Sequence, residues 1–86
     1  MKKETQKLIP RLNRIEGQVR GLKKMIEEDK YCIDIITQTS AVRKALSAVE
    51  NALLESHLSC CVVNQVKSGK EKQAVEEVLK VYNLKK

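Results

Sequence analysis

The sequence predicts an all-α protein built from two long helices followed by a short one. Helix breakers are scarce, with one proline and three glycines in 86 residues. Apolar residues recur in alternating steps of four and three, which is the spacing of a helix that buries one face. The chain has no Trp or Phe, and an aliphatic core suits helices better than a small β-fold. We expect a single domain over residues 1–86 that gains core by association.

The first helix is predicted from about Lys3 to Glu28. Pro10 lies near its front, where a proline either begins the regular part of a helix or kinks it. The polar segment EEDKY ends the helix. The predicted apolar stripe consists of Leu8, Leu12, Ile15, Val19, Leu22 and Ile26.

The second helix is predicted to begin near Tyr31 or Cys32, and no glycine or proline interrupts it before Ser68. A helix of about 30 to 37 residues is far longer than the usual 11 to 12 and needs a partner along most of its length. Two copies are therefore expected to form an antiparallel four-helix bundle. The segment KSGKE breaks the chain around Gly69, and a short third helix follows from about Glu71 to Tyr82. Its expected apolar side carries Ala74, Val75, Val78, Leu79 and Tyr82.

The charge of the chain favours a polyanionic partner. The formal net charge is +6, which suits DNA, RNA or an acidic surface, although plain solubility is an alternative. A basic stripe on the first helix, beside its apolar seam, could follow DNA phosphates, or it could be an ordinary solvated face. No helix-turn-helix, zinc-finger or ribbon signature is present, so such binding would depend on backbone contacts and DNA shape. The predicted DNA-binding residues are Lys3, Lys7, Arg11, Arg14 and Gln18, with Arg43 and Lys44 on the second helix.

The only histidine and two of the three cysteines lie together in the segment HLSCC. His57 and Cys61 are four residues apart and are therefore neighbours on one face of a helix. At about 100° per residue Cys32 points in nearly the same direction, whereas Cys60 is rotated away by about 80°. Cys32, His57 and Cys61 are therefore the predicted metal ligands. The alternative is that the cysteines are simply buried as small apolar side chains.

Cys32 and His57 cannot share an ion within one straight helix. They are 25 residues apart in the sequence, which corresponds to about 38 Å along a helix. An antiparallel partner helix would place Cys32 of one chain beside His57 and Cys61 of the other, giving two equivalent sites per dimer. Two thiolates and one imidazole suit Cu(I), which tolerates low coordination, whereas Zn²⁺ prefers a fourth ligand. No general acid or base adjoins the cluster in sequence, so we do not expect an enzyme.

Cysteine usage and the N-terminal sequence indicate the compartment. The segment MKKETQKLIPRLNR has no apolar run typical of a signal peptide. No stretch of the chain approaches the roughly 20 apolar residues that span a bilayer. Three cysteines would leave one over in a disulfide framework. We expect a cytoplasmic protein without membrane contact, whose reduced thiols are available for metal binding or sensing.

Two segments, RIEGQVRG and EEDKYC, together with HLSCC, resemble the CsoR family of copper-sensing repressors. The resemblance covers nearly the whole chain. The wider family includes RcnR-type nickel and cobalt sensors, FrmR-type formaldehyde sensors and CstR-type persulfide sensors. Its members differ in the pattern of their ligands.

The ligand pattern of this chain is similar to that of the copper sensors. These use Cys, His and Cys at spacings of 25 and 4, which fall here on Cys32, His57 and Cys61. RcnR-type sensors have His in the last position and an additional N-terminal His, and CstR-type sensors lack the His. The tyrosine and glutamate that the family places around its ligands fall on Tyr31 and Glu77.

The resemblance implies a dimer of dimers that binds operator DNA when metal-free. Cu(I) would release the DNA and allow transcription of copper-resistance genes, so that metal and DNA are negatively coupled. Two alternatives stay open. Cys32 and Cys61 could crosslink in a persulfide or oxidant sensor, although that chemistry does not require His57, and Cys60 lies outside the family's ligand set. A copper-buffering protein without a DNA role is the other alternative, and the basic stripe argues against it.

Overall fold

The computed structural model describes residues 5–85, and these residues form helices and short connections with no strand among them. Helix α1 spans Ile9–Glu27 and α2 spans Cys32–Ser56. A π-helical segment, His57–Val62, follows α2 directly and leads into the short α3, Val63–Lys67. Helix α4 spans Glu71–Lys85. The predicted all-α, long-long-short architecture is confirmed.

Helix α1 begins later than predicted because of Pro10. The proline occupies the first turn of the helix, where its missing N–H has no intrahelical partner in any case. Thr5 and Gln6 are helical, and Lys7 and Leu8 form a turn between them and α1. Pro10 therefore begins the regular part of the helix, which is one of the two roles that the sequence allowed.

Both breaks between helices have the same hydrogen-bonded form. After α1, the N–H of Lys30 donates to the Met25 carbonyl at 3.0 Å, and Asp29 has a φ of 55°. After α3, the N–H of Lys70 donates to the Gln65 carbonyl at 2.7 Å, and Gly69 has a φ of 76°. These are Schellman motifs, in which a left-handed residue just past the helix allows its last carbonyls to be satisfied.

The described residues divide into two compact units, residues 5–53 and residues 54–85. The core of the first unit is small and aliphatic, with Ala45, Ala52 and Leu22 packed against four buried side chains. Those four are Leu8, Ile15, Val42 and Val49. Other members of the predicted apolar stripe on α1 remain exposed, including Val19 at 50% and Ile26 at 63%. This unit therefore presents apolar surface of the kind that association covers.

In the second unit, α4 lies against the π segment and α3. Ala74 is its buried residue, with a relative exposure of 2%. Val78 and Val81 are half-buried, whereas Val75, Leu79 and Tyr82 are exposed. The predicted apolar side of this helix is thus covered only in part. An apolar groove of about 230 Å³ runs between α4 on one side and the π segment and α3 on the other. It is lined by Val62, Val66, Glu71, Ala74, Val75, Val78 and Leu79.

The second and third predicted helices begin where the sequence indicates. Helical structure runs from Cys32 to Lys67, as expected for the second predicted helix, but the π segment interrupts its α-geometry. Helix α4 begins at Glu71 as predicted and continues to Lys85. Within residues 5–85, none of the helices combines the length and apolar character that crossing a membrane requires.

Replacing Gly69 by alanine should destabilise the protein, because a Cβ is disfavoured at its φ of 76° even though open space surrounds it. We expect the free energy of unfolding to fall by about 1 kcal/mol, measured by urea denaturation at fixed protein concentration. Ser68→Ala is the matched control, since Ser68 has a φ of −92° that any residue adopts. Equal stability of Gly69→Ala and wild type would show that this turn is not held in the left-handed conformation.

Candidate functional site

The π segment carries three of the four cysteine and histidine residues. His57, Cys60 and Cys61 are all half-buried within it. Within the segment, the hydroxyl of Ser59 donates to the carbonyl of Glu55, at the end of α2, at 2.8 Å. Such a side-chain bond competes with the backbone ladder and tends to bend helices. Single π turns inside long helices occur frequently at functional sites.

The π geometry changes the argument that separates the two adjacent cysteines. Hydrogen bonds from i to i+5 widen the turn, so each residue advances by less than the 100° of an α-helix. Cys61 still lies about one turn from His57, since four residues nearly complete either kind of turn. The Asn64 side-chain amide approaches the sulfur of Cys60 at 3.9 Å. Cys61 remains the predicted ligand.

Glu77, on α4, faces the imidazole of His57. Its Oε1 lies 3.9 Å from Nε2 of His57, which is beyond hydrogen-bond reach. The amide of Gln65 donates to that same oxygen at 2.9 Å, and the amide of Gln73 donates to Oε2 at 3.4 Å. These two bonds, the one from Gln65 first, lower the pKa of the Glu77 carboxyl below its usual value. Glu77 is therefore a charged acceptor beside the histidine.

Sequence reasoning did not identify Gln65. Its side chain is half-buried on α3, and its own oxygen, Oε1, is buried with no hydrogen-bond partner among residues 5–85. No spacing signal along the chain could have found it, because its partner Glu77 lies on a different helix. Only the packing of α4 against α3 reveals the pair.

The third predicted ligand, Cys32, lies in the other compact unit. Cys32 is the exposed first residue of α2. Tyr31 precedes it, 68% exposed, and its carbonyl accepts the N–H groups of Asp34 and Ile35 at 3.0 and 3.2 Å. No disulfide joins the three cysteines. Among the described residues, no three His, Cys, Asp or Glu side chains are grouped so that they could hold a metal ion.

Part of the predicted DNA-binding stripe lines one groove. Arg11, Arg14 and Gln18 border an open groove of about 340 Å³ between α1 and α2, together with Ile15, Ala45 and Ala48. The Gln18 oxygen is buried in this region without a partner among residues 5–85. Small alanines on α2 leave the space that the groove occupies.

The remaining residues of the predicted DNA surface do not line this groove. Arg43 and Lys44 are exposed on α2, and Lys7 is exposed in the turn before α1. Lys3 lies outside the described residues. The structure thus brings together three of the seven predicted residues.

Comparison with known proteins agrees with these features. Residues 4–83 match the model of a family described as metal-sensitive transcriptional repressor. A Bacillus subtilis (strain 168) protein, the copper-sensing transcriptional repressor CsoR, is 49% identical over 80 residues, which are 93% of this chain and 79% of that protein. The copper-sensing transcriptional repressor RicR of Mycobacterium tuberculosis is 61% identical over 59 residues, or 69% of this chain and 62% of that longer protein.

A solved structure shares the fold as well as the sequence. It is the copper-sensing repressor CsoR with Cu(I) from Geobacillus thermodenitrificans NG80-2, with a TM-score of 0.89 and 43% identity. The match covers 98% of this chain and 88% of that one. The predicted resemblance is confirmed, and the chain belongs to the metal-sensitive transcriptional repressor family.

Proposed function

We propose that this protein is a Cu(I)-responsive transcriptional repressor, which binds operator DNA when metal-free and leaves it when copper binds. The observation that carries the proposal is the π segment, which places His57 and Cys61 one turn apart with a charged carboxylate facing the imidazole. The kinship with copper-sensing repressors supports the same metal. Its role is regulation and not catalysis, in the cytoplasm where the DNA lies.

The donor set fits Cu(I). Cys32, His57 and Cys61 offer two soft thiolates and one imidazole, a combination that suits a soft monovalent ion with few ligands. When bound, Cu(I) supplies a fixed link between these side chains. Thiolate ligands must lose their protons, so affinity should fall in acid. Cys60 is not part of the proposed set, since the spacings of 25 and 4 fall on Cys32, His57 and Cys61.

The site is proposed to cross between two chains. Cys32 begins α2, and His57 follows its last residue. A helix of 25 residues separates them by about 38 Å at 1.5 Å per residue, so Cys32 must come from a second copy. The exposed apolar residues of the first unit, among them Val19 and Ile26, provide surface for that association. A dimer of dimers with a single functional domain per chain completes the proposal.

DNA is proposed to contact the basic stripe of α1. Arg11, Arg14 and Gln18 share one groove, so two guanidinium groups and an amide can approach the same stretch of backbone. Arginine binds phosphate oxygens in a two-pronged geometry. Arg43 and Lys44 add charge from α2, with Lys7 and Lys3 ahead of α1. These contacts position the protein on the duplex, and Gln18 and the arginines offer contacts to bases.

Coupling between the two sites is proposed to run through His57 and Glu77. An imidazole that binds a metal through one nitrogen presents an N–H at the other, and this group needs an acceptor. In the structure Nε2 is the nitrogen that faces Glu77. Closing that gap would fasten α4 to the π segment and favour the conformation that binds DNA weakly. Tyr31, next to Cys32, is proposed to contribute from the side of the second chain.

Two other functions remain to be separated from this one. A persulfide sensor would use Cys32 and Cys61 as a crosslinking pair, but the arrangement of Glu77 around His57 has no part in that chemistry. A copper-buffering protein would bind the metal without DNA, and the arginines of the α1 groove would then have no ligand. DNA binding measured with Cu(I) and with a persulfide donor separates all three.

A site shared between chains should be restored by mixing defective subunits. Cys32→Ala and Cys61→Ala chains should each bind Cu(I) weakly. After subunit exchange, each mixed dimer regains one complete site, or about one tight site per four chains for random pairing. Cu(I) competition with a chromophoric chelator measures the number of tight sites.

The matched control is Cys60→Ala, which should keep one tight site per chain because Cys60 is not a ligand. Exchange is verified by mass spectrometry of differently tagged chains. Failure to regain any tight site after verified exchange would mean that the three ligands do not come from two chains.

Removing the arginines of the groove should weaken DNA binding without affecting copper. For Arg11→Ala and Arg14→Ala we expect lower affinity for operator DNA, and a salt dependence reduced by about one unit of slope per lost phosphate contact. Fluorescence anisotropy at several salt concentrations measures both. The matched control is Arg20→Ala, since Arg20 lies on the opposite side of α1 and faces Glu16 at 3.9 Å. If Arg20→Ala weakens binding as much as the other two, the DNA surface has been misplaced.

A further inference from the structure

The side chain that fixes the Glu77 carboxylate is Gln65. Glu77 is 45% exposed, and an exposed glutamate normally samples several rotamers. Here the Gln65 amide, half-buried on α3, holds Oε1 at 2.9 Å. The carboxylate is therefore kept on the side of α4 that faces the π segment.

The oxygen that Gln65 holds is the one that His57 approaches. Nε2 of His57 is 3.9 Å from Oε1 of Glu77, so a hydrogen bond requires a movement of only about 1 Å. A carboxylate oxygen has two lone pairs and can accept from an amide and an imidazole together. The bond from Gln65 thus need not break when the bond from His57 forms.

We propose that Gln65 is a positioning residue for the copper switch, holding the Glu77 carboxylate where the copper-ordered imidazole of His57 can donate to it. The proposal rests on the proposed function and names a residue that acts through Glu77. Preorganisation of this kind saves the entropy of ordering a long side chain at the moment the bond forms. The side-chain oxygen of Gln65 is buried with no hydrogen-bond partner among residues 5–85. The side chain is thus oriented so that its NH₂ group donates to Glu77 while its oxygen stays unsatisfied.

Gln73 does not share this role. It lies one turn before Glu77 on the same helix, is exposed, and reaches the other carboxylate oxygen at 3.4 Å. Such a bond lies within α4 and does not tie it to α3. Gln73 is therefore a natural control for Gln65, with the same side chain and the same acceptor group.

The test is Gln65→Met, which keeps the length and helix propensity of the side chain and removes the amide. Metal-free Gln65→Met should bind DNA as tightly as wild type, and it should bind Cu(I). The ratio of DNA affinities without and with Cu(I) should fall by roughly threefold to tenfold, the worth of one hydrogen bond. The DNA is a duplex selected from random sequence by the metal-free wild-type protein.

Two controls separate positioning from a general structural role. Gln73→Met should keep the wild-type ratio. Glu77→Ala should lower the ratio by itself, and adding Gln65→Met to it should change nothing further, because the two residues act through one carboxylate. A merely structural role for Gln65 would lower the ratio or the metal-free DNA affinity in both backgrounds.

A readout that needs no copper is the side-chain amide signal of Gln65 in the ¹H–¹⁵N spectrum of the metal-free protein. Glu77→Ala should shift it, and Gln73→Met should not. In the Cu(I)-loaded protein, which is diamagnetic, the Nε2–H signal of His57 should be protected from solvent exchange in wild type and lost in Gln65→Met.

The results distinguish a failure of the role of Gln65 from a failure of the proposed function on which that role rests. If wild type responds to copper and Gln65→Met has the same or a larger ratio, Gln65 is not a positioning residue, and a larger ratio would mean that it competes with His57. If wild type binds the selected duplex equally well with and without Cu(I), the proposed function itself is wrong, and the role of Gln65 in it falls too.

Discussion

The Glu77 carboxylate is the polar group at which three helical segments of the second unit meet. It receives the amide of Gln65 from α3 at 2.9 Å and lies 3.9 Å from the imidazole of the π segment. Around it, α4 is held mostly by the buried Ala74 and by half-buried valines. Because so little apolar area holds this helix, one added hydrogen bond is proposed to shift its position, as units with few buried contacts have low opening free energies.

Helix length imposes a second constraint. Cys32 begins α2 and His57 follows its last residue, so the proposed ligands are separated by a helix of 25 residues. Association is therefore proposed to complete the site, and the exposed Val19 and Ile26 of the first unit offer apolar surface for it. Metal binding and assembly are thereby proposed to be linked, since anything that binds only the assembled form stabilises it.

Much of the fold could be predicted because its signals are local. Gly69 and the segment around Asp29 mark the helix ends, Pro10 marks the start of α1, and the absence of breakers from Cys32 to Ser68 marks the long helical run. The π segment has no such signal: HLSCCV contains neither glycine nor proline. The angular argument for Cys61 therefore assumed α-geometry where the turn is wider. Gln65 escaped prediction because hydrogen bonds between helices leave no periodicity in the sequence.

Copper and DNA are proposed to oppose one another on this protein. A decisive measurement is the affinity of the 86-residue chain for its selected DNA duplex during a Cu(I) titration under reducing, anaerobic conditions, with Zn²⁺ and a persulfide donor in parallel. We expect a loss of affinity of at least fivefold, the lower range of allosteric coupling, complete at one Cu(I) per chain and much smaller with the other two reagents. An affinity that is insensitive to Cu(I), or lowered only by the persulfide donor, would contradict it.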